Sequence, residues 1–244
     1  MPDFREYIGV DFTGQFLKHY GKGHLDGGHS GRYPWGSGKR PKQDHSDNAD
    51  SSNTILKLKH SDNLHKSAIA AGFRPLSEQE PLETSLKKAN PFRGEYRGTN
   101  NCLSCALSGY LRTNGIEAEA KGRLSSSGVR NGPEILESIS RGKKTDDITL
   151  DEGEDPRVAT QAIKDLYGDD ASGLIAVCWK GGGGHVYNFD TANGKVQYID
   201  YQSGHHGKDV ECYFDHVDPT KPIYLFRLDN TELDMKRMKK YVDS

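Results

Sequence analysis

The dipeptide Asn193-Gly194 sits between two strand-like stretches, His185–Asp190 and Lys195–Asp200. Both residues tolerate the left-handed backbone that a tight two-residue turn demands, which makes this pair the strongest short-range hairpin signal. With Asn193 and Gly194 as the loop, Ala192 opposes Lys195, Tyr187 opposes Asp200 and His185 opposes Gln202. Opposed residues share a sheet face, and so do residues two apart. The register therefore puts His185, Tyr187, Asp200 and Gln202 on one side. His185 and Asp200 become diagonal neighbours, roughly 7–8 Å apart at the backbone. An imidazole and a carboxylate span that gap, and a slip of one residue would part them.

The flanking pattern sets the fold class. Cys102–Thr113 carries Leu103, Ala106, Leu107, Tyr110 and Leu111 at helical spacing, and Asn114-Gly115 stops it. Ile116–Ala120 reads as a short strand. Pro133 opens a helix in the stretch 132–140. Asp155 and Pro156 start another, with Val158, Ala159, Ala162, Ile163 and Leu166 on one face and Gly168 at its end. Gly173–Trp179 is a buried strand by its continuous apolar run, Pro222–Leu228 is a last strand, and Asn230 or Thr231 caps a basic C-terminal helix to about Val242. Helices first and an antiparallel sheet after them is an α+β pattern.

Residues 1–89 differ. Between Lys18 and Lys42 lie six Lys/Arg and three His against one acid, Asp26, interleaved with glycines that disfavour regular structure. Gln43–Asn53 is polar, and a weak helix follows near Asn63–Ala71. This reads as a flexible Gly/His/basic extension, with Tyr33 and Trp35 as anchors and His24 and His29 as a remote metal pair, leading to a domain spanning residues 90–244. The whole chain has a net charge of −2, so there is no global attraction to nucleic acid, and no apolar run approaches the ~20 residues of a membrane helix. Met1–Val10 lacks the basic and apolar segments of a signal peptide. Localisation stays open.

Cys102 stands at a helix start, where free backbone N–H groups and the helix dipole favour a thiolate and can hold a developing oxyanion. Asn100 or Asn101 could cap that helix or lend an amide to the oxyanion. Cys102, with His185 as base and Asp200 as the acid that orients it, fits thiol catalysis. Cys105, one turn further in, is the alternative nucleophile, with less access to free N–H groups. Cys102 and Cys105 also form a C-x-x-C pair, which leaves a zinc module open, although no second pair follows.

The ordered set Asn90-Pro91, Asn101-Cys102-Leu-Ser-Cys105-Ala106, Gly184-His185-Val186, Asp200-Tyr-Gln202-Ser-Gly204 and Arg227-Leu-Asp229-Asn230 resembles the papain-fold toxins. That family is described as protein-glutamine deamidases, found in polymorphic toxins and phage virion proteins. The resemblance implies a papain-like cysteine-enzyme fold, with an N-terminal helix carrying Cys and an antiparallel sheet carrying His and Asp. It implies nucleophile Cys102, base His185, acid Asp200 and a site-shaping Gln202, with no cofactor. Tyr201 stands where the family commonly has proline, which predicts a looser turn beneath Asp200. The implied partner is a protein substrate with a target glutamine; peptide-bond cleavage and acyl transfer to an amine use the same machinery. An immunity protein belongs with the toxin reading. Residues 23–38 resemble leaders of phage structural proteins, so phage components could bind residues 1–50, and a virion structural or attachment role is the rival to an enzyme.

Overall fold

The computed structural model describes residues 62–123 and 132–244. The basic arm, its His and aromatic residues and the polar stretch 43–53 lie outside them. The elements, in chain order, are α1 (Asp62–Ala70), α2 (Leu82–Ala89), α3 (Cys102–Thr113), β1 (Glu119–Ala120), α4 (Gly132–Ile139), β2 (Asp146–Ile148) and α5 (Val158–Tyr167). They continue with β3 (Ser172–Cys178), β4 (Gly184–Ala192), β5 (Lys195–Asp200), β6 (His205–His206), α6 (Lys208–Glu211), β7 (Ile223–Arg227), α7 (Met235–Met238) and β8 (Val242–Asp243).

A six-stranded sheet of order β2-β7-β3-β4-β5-β6, antiparallel throughout, forms the centre. The Asn193-Gly194 turn is as expected: Ala192 opposes Lys195, and both turn residues have positive φ, 53° and 69°. The alternation of side chains along the strands splits the core into two layers. Leu174, Ala176, Val186 and Phe226 face α3, with Leu103, Leu107 and Leu111. Ile175, Tyr187, Phe189, Tyr198 and Leu225 face the opposite way, against Ala159 and Ile163 of α5 and Val210 and Phe214 beyond β6. A buried hydrogen bond from the Asn188 amide to the Ala106 carbonyl ties α3 to β4. This mixed helix and antiparallel-sheet arrangement is the α+β, papain-like class expected.

Three local readings need correction. The C-terminal segment makes only the short α7, because the Asp234 side chain accepts from the backbone N–H groups of Lys236 and Arg237 and starts the helix late. Val242 then leaves it to pair with Ala120, so β7 is not the last strand. Asp155 does not cap α5; its carboxylate folds onto Arg157 N–H and the helix begins at Val158, leaving Leu166 exposed. The core also reaches back before residue 90. Leu64, Ala68 and Phe73 pack with α3, and Leu82, Leu86 and Ala89 pack with Cys105, Ile199 and Tyr201.

Candidate active site

The site forms where the first turn of α3 meets the ends of β4 and β5. Its histidine is placed by a tight turn after β3: Gly182 and Gly183 have φ of 88° and 77°, and the Trp179 N–H donates to the Gly183 carbonyl at 3.0 Å. Side chains with a Cβ rarely adopt that backbone, so the glycine run has a conformational cause. The turn delivers His185 to the start of β4, opposite Val177.

His185 and Asp200 meet. The imidazole Nε2 lies 2.9 Å from Asp200 Oδ2, and both side chains are almost fully buried. The expected ladder stops earlier than this pair, at Asn188 opposite Ile199, because the chain turns after Asp200 and Asp200 itself pairs with His205. Gln202 therefore lies in the turn rather than opposite His185. The side chains still converge, since His185 and Asp200 keep the parity of Tyr187 and Tyr198.

Asp200 accepts four hydrogen bonds. Oδ1 takes the backbone N–H of Gln202 and of Ser203, and Oδ2 takes His185 and the Tyr213 hydroxyl. Burial opposes its charge, but His185 and these donors outweigh burial and hold its carboxyl well below the usual carboxylate range. An ionised carboxylate only accepts, so Nε2 carries a hydrogen and Nδ1 is the nitrogen free to exchange a proton. Burial likewise pulls His185 down, while the Asp200 charge and hydrogen bond, with a hydrogen bond to Cys102, push it up to about 10. Cys102, the first residue of α3 and partly exposed, is thus in contact with the imidazole. Cys105 is fully buried, and desolvation, with Asp200 and Cys102, pushes its thiol well above the ordinary range. Of the two candidate nucleophiles, only Cys102 combines access with the histidine. Among the described residues no group of three His, Cys, Asp or Glu side chains could hold a metal ion, so the C-x-x-C pair gains no further ligand there.

The asparagines and Gln202 divide differently from expectation. Asn101 makes no side-chain cap on α3. Its amide donates to Asn90 Oδ1 and the Lys121 carbonyl, and its Oδ1 accepts from the Gln202 amide at 3.1 Å. Asn90 closes the ring by donating to the Gln202 carbonyl at 3.0 Å. This loop of amides ties the residue before Cys102 to the turn after Asp200, so Asn101 and Gln202 hold the site together and their amides are committed. Asn100 is buried, and its Nδ2 has no hydrogen-bond partner. Tyr201 does not loosen the turn. It is buried against Gly109 of α3, where a Cβ would collide with its ring, and its hydroxyl lies 3.0 Å from Thr113 Oγ1. Packing here supplies the restraint that a proline would give through its ring.

Tyr213 and Trp179 escaped the sequence reading. Trp179 stacks on His185 with centroids 6.0 Å apart, and Tyr213 meets it edge-on at 5.9 Å. Val210, Tyr213, Phe214 and Val217 fall at i, i+3, i+4 and i+7, a spacing that could have turned Tyr213 toward the sheet.

A cysteine at the head of a central helix, in contact with a histidine–aspartate pair on an antiparallel sheet, defines a papain-like domain. Residues 100–205 match the family described as papain fold toxin 1, glutamine deamidase. Among solved structures, the Salmonella effector SpvD aligns at 13% identity and a TM-score of 0.41, over 70% of this chain and 94% of that one. No curated protein matches. No helix among the described residues is long and apolar enough to cross a membrane.

Proposed function

We propose that the protein is a toxin or effector enzyme that deamidates a glutamine side chain of a target protein, with Cys102 as nucleophile, His185 as base and Asp200 as orienting acid. The observation that carries this reading is the buried His185–Asp200 pair with Cys102 on the imidazole, inside the stretch that matches the deamidase family. The catalytic unit starts by residue 62, since α1 and α2 are part of its core.

Asp200 holds Nε2–H and keeps the imidazole protonated at neutral pH, so Nδ1 already holds the proton shared with Cys102 as sulfur attacks the carboxamide carbon. The negative oxygen of the tetrahedral adduct faces the α3 N-terminus, whose first N–H groups have no partner inside the helix. Asn100, two residues before Cys102, keeps an unpartnered buried amide that could serve as a further donor. Nδ1 then returns its proton to the nitrogen, ammonia leaves and a thioester remains. Water attacks the thioester, giving its proton to Nδ1, and the sulfur departs. Glutamine has become glutamate. A peptide bond or an acceptor amine would use the same steps, and the family match favours the carboxamide.

The test is to incubate the protein with glutamine-bearing proteins from a bacterial or eukaryotic lysate and follow ammonia release with peptide mass mapping. Glutamine-to-glutamate conversion at defined sites, absent with Cys102→Ala, supports the reading. Cleaved or cross-linked products instead would replace deamidation with proteolysis or acyl transfer.

A further inference from the structure

We infer that Tyr213, backed by Ser203, is a positioning residue that fixes the Asp200 carboxylate for His185. The inference rests on the triad proposed above, but its structural basis is separate. The Tyr213 hydroxyl donates to Asp200 Oδ2 at 2.9 Å, the same oxygen that receives His185 Nε2–H. A tyrosine hydroxyl has one hydrogen, and here the carboxylate takes it. The Ser203 hydroxyl, 3.1 Å from the Tyr213 oxygen, must therefore be the donor in that pair. Ser203 Oγ in turn accepts the His205 backbone N–H at 3.2 Å. Donor counting thus gives a chain with a single direction, from His205 N–H through Ser203 and Tyr213 to Asp200.

The chain's members come from different elements. Ser203 lies in the turn after β5, His205 begins β6, and Tyr213 lies in the 3-10 turn Cys212–His216. Packing of Val210 and Phe214 in the sheet's second core layer fixes that turn. Tyr213 also touches the rings of Trp179, His185 and Tyr187, so its position is set by contacts that do not need the hydroxyl. The hydroxyl's distinct contribution is a second donor on the oxygen that receives His185, which shares that oxygen's charge and holds the carboxylate's orientation. The titratable groups facing the pair are Cys102 and Cys105 from α3, Tyr187 from β4 and Tyr213 itself; Arg93 bears on the same region through Cys105.

Tyr213→Phe keeps the ring and deletes the donor. In a Cys102→Ala background, imidazole NMR of His185 should show titration about one pH unit higher in Tyr213→Phe, the size expected for a hydrogen bond to a charged group, because the Oδ2 charge is no longer shared with a second donor. Ser203→Ala should move it in the same direction by less. With Cys102 intact, any turnover should fall roughly tenfold in kcat with KM held. A folded Tyr213→Phe whose His185 titrates as in the parent would overturn the role. Should Tyr213→Phe fail to fold, an unchanged His185 titration in Ser203→Ala would do the same. The His185 titration needs no glutamine substrate, so a failed deamidation assay leaves this inference to be judged on its own.

Discussion

Replacing Asp200 with asparagine removes one charge from the centre of the site and almost no volume. The lift of His185 from 6.5 to about 10 corresponds to roughly 5 kcal/mol, at about 1.4 kcal/mol per pH unit. Two opposite charges about 4 Å apart at an effective dielectric of ~20 attract by about 4 kcal/mol, and a hydrogen bond to a charged group adds about 1.5–3 kcal/mol. Burial of the imidazole subtracts from that sum, so the geometry accounts for the lift. Without the carboxylate, burial is opposed only by Cys102, and His185 should titrate well below 10 in Asp200→Asn. The amide also has one acceptor oxygen where the carboxylate has two, and donors crowd both ends: Gln202 and Ser203 N–H at one, His185 and Tyr213 at the other. Two of them must then face an NH₂ group, which should cost about 3–5 kcal/mol of stability. Imidazole NMR against pH and urea unfolding measure the two effects. A His185 still titrating near 10 in Asp200→Asn, or an unchanged unfolding midpoint, would refute the reasoning.

Other outcomes follow from the same geometry. Cys102→Ala should abolish turnover with unfolding unchanged within about 0.5 kcal/mol, whereas Cys105→Ala should keep the nucleophile and lose about 1–2 kcal/mol from a small core cavity; activity and denaturant curves separate them. Gly109→Ala should destabilise by about 1–3 kcal/mol, because the added methyl displaces the Tyr201 ring, and should lower activity through the adjacent Asp200; both are readable in a thermal melt and an alkylation rate. The His185–Asp200 contribution to stability should depend on pH in two senses. The raised histidine stabilises fully below about 6.5 and loses its effect as pH climbs through about 10. The depressed aspartate stabilises above 3.8 and loses its effect as pH falls through its lower folded value. Unfolding free energy against pH should show both limbs, and Asp200→Asn should remove them.

The hairpin was legible because its information is local. Asn193 and Gly194 select the turn, the turn sets the register, and the register carries His185 and Asp200 to one face. Cys102 was legible because apolar spacing marks where α3 begins. The rest depends on contacts distant in sequence. Asn101 and Gln202 have amides that suit an oxyanion, but their real partners, Asn90 and each other, are set by the fold. Tyr213 carries no motif and reaches Asp200 only after α6 and the turn behind it pack on the sheet. The C-terminal helix was overextended because Asp234 caps better than Thr231, and because β1 captures Val242. Residues 62–89 read as an extension, since their few apolar residues become core only against α3 and β5.

The central claim is that Cys102 is a nucleophile activated by His185. Iodoacetamide labelling across pH, with mass mapping of all four cysteines in wild type and His185→Ala, tests it directly. The account predicts selective labelling of Cys102 at neutral pH, lost in His185→Ala, with Cys105 unlabelled in the folded protein. Labelling of Cys102 that is indifferent to His185, or faster labelling at Cys105, would contradict it.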